Sequence, residues 1–270
     1  MIEQAAHFAG TIPENYDSGL GPHLFVDFAA DLARRAVAAK PGRVLETAAG
    51  AGIVTRFLRD GLPDFARLVA SDLNPPMLAI ARRKFGAAER IEFQPADAAA
   101  LPFVDGTFDA IVCQFGVMFF ADKDLAYREA YRVLGCGGRY HFNVWDSFDF
   151  NPFARISHDT IAGFFNDDAP AFFTVPFGYH RIDKIKSLLL AAGFTDISVH
   201  VLKIDKTITA SRQFAEGLIL GNPIIEEIRV RGTADSAAII AAVRAALQNA
   251  FGEDPGRMPL QAIVFSALKR

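Results

Sequence analysis

The sequence predicts an α/β fold: a doubly wound, mostly parallel seven-stranded sheet with a helical cap. Short apolar segments alternate with amphipathic segments five times over residues 24–144, which is typical of a parallel sheet with helices on both faces. The rhythm breaks after Trp145, where residues 147–180 are rich in Phe, Pro, Asp and Asn. Two further strand patterns follow without a simple strand–helix–strand rhythm, so we expect the last strand to run antiparallel.

Each element of the first part follows from a local pattern. Residues 24–39 have apolar positions at helical spacing, and Pro41 with Gly42 ends that helix. Pro75 and Pro76 suit the first turn of a helix. The strands that we predict are 43–48, 68–71, 91–93, 108–113 and 139–144, with helices that begin at Ile53, Pro75 and Leu125. We expect Gly135, Gly137 and Gly138 to end the last of these helices.

Four longer elements are expected in the second part of the chain. They are a helix over 182–192, a strand over 194–204, a helical insert over 211–252 and a final strand over 260–268.

Length and composition limit the class of protein. The chain has 270 residues, a net charge of −3, 51% hydrophobic and 22% charged residues, which is ordinary for a globular protein. It has no run of Lys and Arg of the kind that binds phosphate backbones, so we expect no nucleic-acid partner. Cys113 and Cys136 are too far apart for a zinc-binding pair, and the six histidines show no metal spacing, so we expect no metal site.

The chain also lacks the patterns of secretion and membrane insertion. Its N-terminus has no basic region followed by an apolar one. The longest apolar stretch, residues 110–121, is interrupted by Gln114 and is too short to span a membrane. We therefore expect a cytoplasmic protein without a membrane span. We also expect a single domain over residues 1–270; a monomer or weak homodimer is expected without a sequence pattern that indicates it.

Polar side chains stand at the carboxyl ends of the first four strands. Glu46, Asp72, Asp97 and Gln114 occupy these places, and the three acids follow one another at a spacing of one strand–helix unit. Because ligands of open parallel sheets bind at this edge, we expect the three acids to converge there. Acidic groups suit a ligand with hydroxyls and amines, not one with phosphates.

The glycine-rich turn after the first strand does not fit a dinucleotide fingerprint. Starting at Gly50, that pattern requires glycine at position 55, where the chain has Thr55. A glycine turn followed by Asp72 is nevertheless shared with nicotinamide-dependent oxidoreductases, which remain an alternative. The other alternative for the acids is structural: Asp72 would cap a helix and Asp97 would shape a turn.

Residues 40–146 carry motifs that resemble class I S-adenosylmethionine-dependent methyltransferases similar to ubiquinone/menaquinone C-methyltransferases (methyltransferase type 11). The resemblance implies a Rossmann-like methyltransferase fold in which residues 40–146 bind the cofactor and segments 147–180 and 211–258 cap the substrate. The family's first motif glycine is Ala48 here. The segments that match, in the family's order and spacing, are 44–52, 71–78, 96–98, 101–103 with 108–109, and 129–134 before Gly137 and Gly138.

The resemblance implies S-adenosylmethionine as cofactor and S-adenosylhomocysteine as product. Glu46 would orient the amino-acid end of the cofactor, and Asp72 would accept hydrogen bonds from both ribose hydroxyls. Asp97 would accept one from the adenine amino group, beside the Ala98 N–H. Tyr16 would act as a lid. The remaining cofactor-binding residues that it implies are Thr47, Ala48, Gly50, Gly52, Leu73, Met77, Gln114 and Phe115.

The implied activity is methyl transfer to a small acceptor, an in-line displacement that needs mainly positioning and desolvation. No general base stands out, and His23, Tyr16, Asp17 and His141 are candidates only. A cofactor-binding protein without catalysis remains a second alternative.

Phenylalanine is over-represented, with 25 residues against five Tyr and one Trp. The eight from Phe148 to Phe177 predict a cap lined for an apolar or aromatic acceptor, in a pocket that includes Phe119, Trp145, Phe150 and Phe153. The alternative is that they only hold an irregular cap on the sheet. These eight are Phe148, Phe150, Phe153, Phe164, Phe165, Phe172, Phe173 and Phe177.

Overall fold

A computed structural model describes residues 2–166, 168–232 and 234–270. The strands of this part of the chain are β1 (Arg43–Glu46), β2 (Arg67–Asp72), β3 (Ile91–Pro95), β4 (Phe108–Gln114), β5 (Leu134–Trp145), β6 (Thr195–Ile208) and β7 (Gly256–Leu268). They form one seven-stranded sheet in the order β3-β2-β1-β4-β5-β7-β6. β7 runs antiparallel to both of its neighbours, whereas the pairings among β1 to β5 are parallel. The predicted sheet with an antiparallel last strand is confirmed.

Helices surround this sheet. They are α1 (Ile2–Ala5), α2 (Ile12–Gly19), α3 (Val26–Val37), α4 (Ile53–Gly61), α5 (Pro75–Arg83), α6 (Lys123–Val133), α7 (Pro152–Ala162), α8 (Thr174–Gly178), α9 (Ile182–Ala191), α10 (Ser211–Leu220), α11 (Ile224–Arg231) and α12 (Ser236–Phe251). A π-helical turn (Gly21–Phe25) joins α2 to α3. In the described parts of the chain, no helix has the length and apolar composition needed to cross a membrane.

The central strands are buried on both faces, as their continuous apolar sequences require. Val44 and Val112 pack with Leu32 of α3 and Leu58 of α4 on one face. On the other face, Leu45 belongs to a larger apolar cluster that extends into the cap. The sheet is therefore wound on both sides, and its carboxyl edge stays free for a site.

Several boundaries differ from the sequence predictions. β5 begins at Leu134, directly after α6, so the glycines at 135, 137 and 138 lie in a strand and do not end a helix. β7 begins at Gly256 because β6 extends to Ile208 and pairs with it there. The end of the predicted cap segment 211–258 therefore belongs to the sheet. The insert itself is three helices, since Pro223 and Gly232 interrupt it.

The cap contains the N-terminal segment as well as the two predicted segments. α2 and α10 cross where a Cβ on Gly217 would lie 2.7 Å from the Gly19 carbonyl carbon, so this contact requires glycine. A Cβ on Gly221 would lie 2.8 Å from the Tyr16 nitrogen. The crossing thus fixes Tyr16 at the carboxyl edge. That the chain is one domain with a binding core at 40–146 stays a prediction.

Candidate functional site

A cleft of about 210 Å³ lies at the carboxyl edge of the sheet. Asp72 ends β2, Asp97 follows β3, and Gly50 lies in the turn after β1. Since these three strands are parallel neighbours, their ends meet at this edge. We call it the acidic cleft. Its lining residues are Ala6, Phe8, Tyr16, Thr47, Ala48, Gly50, Asp72, Leu73, Asn74, Met77, Ala96, Asp97, Ala98, Gln114, Phe115, Gly116, Phe119, Phe120 and Ala121.

Asp72 is buried and organises the turn around it. Its Oδ2 accepts a hydrogen bond from the Gly50 N–H at 2.8 Å, and its Oδ1 accepts one from the Asn74 N–H at 2.8 Å. Burial raises the pKa of this carboxyl, and these bonds oppose the rise. The Asn74 Nδ2 also donates to Oδ1, at 3.2 Å. Because a carboxylate has about four acceptor positions, Asp72 keeps about one, on Oδ2, for a ligand hydroxyl. The residue that precedes α5 is Asn74, so Asp72 does not cap that helix.

Asn74 ties the N-terminal segment across the cleft. Its Nδ2 donates to the Ala6 carbonyl and its Oδ1 accepts from the Phe8 N–H, both at 3.1 Å. This places Phe8 in the lining of the cleft. Nothing local in the sequence around Phe8 indicates this role, because the contact spans more than sixty residues of chain.

Asp97 is exposed in the cleft. Its Oδ1 accepts a hydrogen bond from the Ala99 N–H at 2.8 Å, which is the turn-forming role that sequence reasoning had set as an alternative. The other oxygen is left for a ligand. The two roles are therefore compatible in this side chain.

Glu46 lies beneath the glycine turn and is 2% exposed. Burial raises its pKa to about 8; a hydrogen bond from Thr55 opposes the rise and the charge of Asp72 adds to it. The Thr55 hydroxyl donates to Glu46 Oε2 at 2.6 Å. Thr55, which stands where the dinucleotide pattern requires glycine, thus orients the Glu46 carboxyl group. Glu46 also lines a small cavity of about 30 Å³ that shares Tyr16, Ala48 and Gly50 with the acidic cleft.

Ala48 has a φ of 52°, a conformation that normally favours glycine. Its Cβ occupies space that a neighbour must leave free, since a Cβ on Gly116 would lie 2.4 Å from it. Ala48 therefore adopts a backbone conformation that favours glycine, and Gly116 provides the room for its Cβ. Next to Ala48, Thr47 lines the cleft, and its buried hydroxyl lies beside Cys113 and Tyr140 of the core.

A second cavity, of about 50 Å³, lies under the cap. Phe115 and Trp145 stack with their ring centroids 4.0 Å apart, and Phe177 stacks on Trp145 at 5.7 Å. Among the described residues that line it, none is charged. We call it the aromatic cavity. Its lining residues are Phe8, Tyr16, Leu20, Leu24, Phe25, Phe115, Met118, Phe119, Trp145, Phe153, Phe172, Phe173, Pro176, Phe177, Leu218 and Asn222.

The acidic cleft and the aromatic cavity share a wall made by Phe8, Tyr16, Phe115 and Phe119. Phe115 has a φ of 49°, and its N–H donates to Asn143 Oδ1 at 3.0 Å. The buried Asn143 thus holds a strained residue at the junction. Tyr16 stacks on Phe25 at 4.9 Å. Burial and the nearby carboxylates raise the pKa of Tyr16, so its hydroxyl stays protonated.

The structure brings most of the predicted site residues together. Trp145 and Phe153 line the aromatic cavity, Glu46 lines the small adjoining cavity, and Gly52 lies outside all three, at the start of α4. The predicted residues that line the acidic cleft are Tyr16, Thr47, Ala48, Gly50, Asp72, Leu73, Met77, Asp97, Ala98, Gln114, Phe115 and Phe119.

Four predicted residues lie elsewhere. Phe150 lines neither cavity and is 50% exposed, because it lies in the turn before α7. His141 is in the middle of β5 and faces a groove at the opposite edge of the sheet, where burial lowers its pKa to about 4. His23 is buried against Phe214 outside both cavities. Asp17 pairs with Lys84.

The eight phenylalanines of the cap divide between the two roles weighed from sequence. Phe153, Phe172, Phe173 and Phe177 line the aromatic cavity. Phe148 stacks on Phe177 behind it, and Phe164 and Phe165 pack against the core. Sequence reasoning missed Asn74, Asn143 and Asn222, although Asn74 lies within a matched motif. In the described chain, no three His, Cys, Asp or Glu side chains meet in a group that could hold a metal.

Comparison with known proteins gives consistent relatives. A family model described as a methyltransferase domain matches residues 44–138. Demethylmenaquinone methyltransferase of Thermus thermophilus is 47% identical over 121 residues, which cover 42% of this chain and 54% of that protein. Ubiquinone/menaquinone biosynthesis C-methyltransferase UbiE of Escherichia coli is 32% identical over 176 residues, 59% of this chain and 68% of that protein.

The fold has matches among solved structures. Phosphoethanolamine N-methyltransferase 2 of Haemonchus contortus, in complex with S-adenosyl-L-methionine, aligns with a TM-score of 0.58 and 18% identity, over 95% of this chain and 56% of that one. Among the curated relatives, the chain spans about half the length of the first ones it matches, 54% and 44%.

Proposed function

The chain belongs to the family of ubiquinone/menaquinone C-methyltransferases, which are class I S-adenosylmethionine-dependent methyltransferases, and we propose that it transfers a methyl group from S-adenosylmethionine to a small apolar or aromatic acceptor. The observation that carries the proposal is the shared wall between the acidic cleft and the aromatic cavity. A polar cofactor in the cleft and an apolar acceptor in the cavity would lie next to each other at the residues that line both.

The residues of the acidic cleft suit this cofactor. Asp72 and Asp97 offer carboxylate acceptors to hydroxyl and amino groups, and Met77 and Leu73 offer apolar surface. Glu46, in the adjoining small cavity, would receive the amino-acid end.

When bound, the cofactor supplies a methyl group that its sulfonium has already activated. The contribution of this chain is then to orient the reactants and to exclude water. Tyr16 and Phe115 line both the cleft and the cavity, where their rings would separate the reacting groups from solvent. The protonated Tyr16 hydroxyl is a donor rather than a base, and neither His23 nor His141 reaches the cleft or the aromatic cavity.

The lining of the aromatic cavity supports an uncharged apolar or aromatic acceptor, since it offers rings and no counter-charge. The curated relatives are named for quinone substrates, which agrees with this class. That the protein acts in the cytoplasm, as a monomer or weak homodimer without a nucleic-acid partner, is part of the proposal, and sedimentation measures its oligomeric state.

Calorimetric titration tests the cofactor. We expect heat of binding with S-adenosylmethionine and S-adenosylhomocysteine and none with NAD. Binding of NAD alone would favour an oxidoreductase and overturn the proposal. Turnover of labelled S-adenosylmethionine with a panel of aromatic acceptors then separates an enzyme from a cofactor-binding protein, which would bind the cofactor and methylate none of them.

A further inference from the structure

Asn222 is a polar residue in the lining of the aromatic cavity. The residue lies between α10 and α11, lines the cavity and is 7% exposed. Its Nδ2 donates to the Leu218 carbonyl at 3.1 Å. Because the Leu218 carbonyl can only accept, the atom beside it must be the Asn222 nitrogen, and Oδ1 remains as an acceptor. In the described chain, no residue donates to that oxygen.

The surroundings of Asn222 define the group it would bind. Among the other residues of the described lining, Tyr16 and Trp145 carry N–H or O–H groups in their side chains, and the Trp145 indole N–H is a donor only. No acid lines the cavity in the described chain, so a buried cationic donor would have no counter-charge. An uncharged hydroxyl or N–H would satisfy Oδ1 without that cost.

We infer that Asn222 determines acceptor specificity by taking a hydrogen bond from an uncharged donor on an aromatic or apolar skeleton. That the ligand is the methyl acceptor rests on the proposed function. Apolar pockets commonly obtain their specificity from a few such polar groups. A ligand without the donor would cover the amide oxygen and leave it unpaired, and we expect it to bind about tenfold more weakly.

Two small probes isolate the hydrogen bond. Phenol and anisole present the same ring, but only phenol has a donor. Trp145 is the one tryptophan of the chain and lines the cavity, so its fluorescence reports occupancy. In the wild-type protein we expect phenol to bind about tenfold more tightly than anisole. Asn222→Ala and the nearly isosteric Asn222→Leu should bring this ratio to about one.

Leu24→Ala is the matched control, since Leu24 lines the same cavity without a polar group. It should weaken both probes alike and keep their ratio. Equal affinities in the wild type, a ratio that survives in either Asn222 variant, or absence of binding by both probes would overturn the inference. If one variant fails to fold, the wild-type ratio and the other variant still decide.

Titration with S-adenosylhomocysteine runs in parallel and separates the two proposals. If this compound fails to bind while phenol keeps its advantage, the proposed function fails and the role of Asn222 stands. If S-adenosylhomocysteine binds while phenol has no advantage over anisole, the cofactor proposal stands and the role of Asn222 fails.

Discussion

The acidic cleft and the aromatic cavity share a wall, yet the chain builds them in opposite ways. The cleft is formed mainly by residues that directly follow parallel strands, and its key carboxylates are held by backbone N–H groups, as Asp72 is by Gly50. The cavity draws on the N-terminal segment, the ends of β4 and β5, and three cap helices. Its walls are held by packing between rings.

Because of this difference, substitutions in one region should mainly change ligand affinity, and substitutions in the other should also change the free energy of unfolding. In the cleft, exposed side chains such as Asp97 and Leu73 can change with a small effect on the fold, because little packing depends on them. In the cavity, each ring supports its neighbours and also shapes the site. Substitutions in the two regions should therefore differ in whether they affect ligand binding or unfolding.

The largest expected effect is on the cavity. Phe153 is 1% exposed and contacts both Trp145 and Phe177. Phe153→Ala should lower the free energy of unfolding by about 3–5 kcal/mol, because it leaves a void among large rings. Urea denaturation measures this change.

Phe150→Ala is the matched control. Phe150 is three residues away and 50% exposed, so we expect a loss below about 1 kcal/mol. Equal losses for the two variants would contradict the account of the cavity as a packed structure.

Asp72→Ala tests the cleft. The change removes a buried acceptor, and we expect the affinity for S-adenosylhomocysteine to fall about 100-fold. Calorimetry measures the affinity.

Asp109→Ala is the control. Asp109 also accepts hydrogen bonds from two backbone N–H groups, those of Gly42 and Arg43, but at the opposite edge of the sheet. Its affinity should stay at the wild-type value, and a similar fall in both variants would indicate a general loss of fold.

Glu46 should make stability depend on pH. Its pKa is about 8 in the folded protein against an ordinary 4.5, so the native state keeps a proton that the unfolded chain releases. Stability should therefore fall as pH rises from about 4.5 to about 8, by at most about 1.4 kcal/mol per unit. Glu46→Gln should flatten this slope in unfolding curves. A slope unchanged by that variant would mean that Glu46 is ionised in the fold.

The smallest expected effect concerns the floor of the cleft. Gly116→Ala should destabilise the protein because its Cβ would meet that of Ala48. In an Ala48→Gly background the same change should cost about 1 kcal/mol less. A double-mutant cycle by urea denaturation measures this coupling. Simple additivity would show that Ala48 and Gly116 do not compete for one space.

The sequence predicted the sheet and the acids of the cleft because parallel strands place their ends together. Asp72 and Asp97 follow from that rule, and the apolar runs of β1 and β4 follow from burial on both faces. The cavity was only partly predictable. Phe153 and Phe150 have similar local patterns, and only the start of α7 buries one and exposes the other. The positions of Phe8, Asn74 and Asn222 in the site result from contacts between distant segments, which no local sequence pattern predicts.

The most direct test of the central claim is a crystal structure with S-adenosylhomocysteine. The account predicts ribose hydroxyls within hydrogen-bonding distance of Asp72, adenine beside Asp97, and the sulfur directed past Tyr16 and Phe115 toward the aromatic cavity. Electron density for the ligand elsewhere, or a sulfur directed away from the cavity, would contradict it.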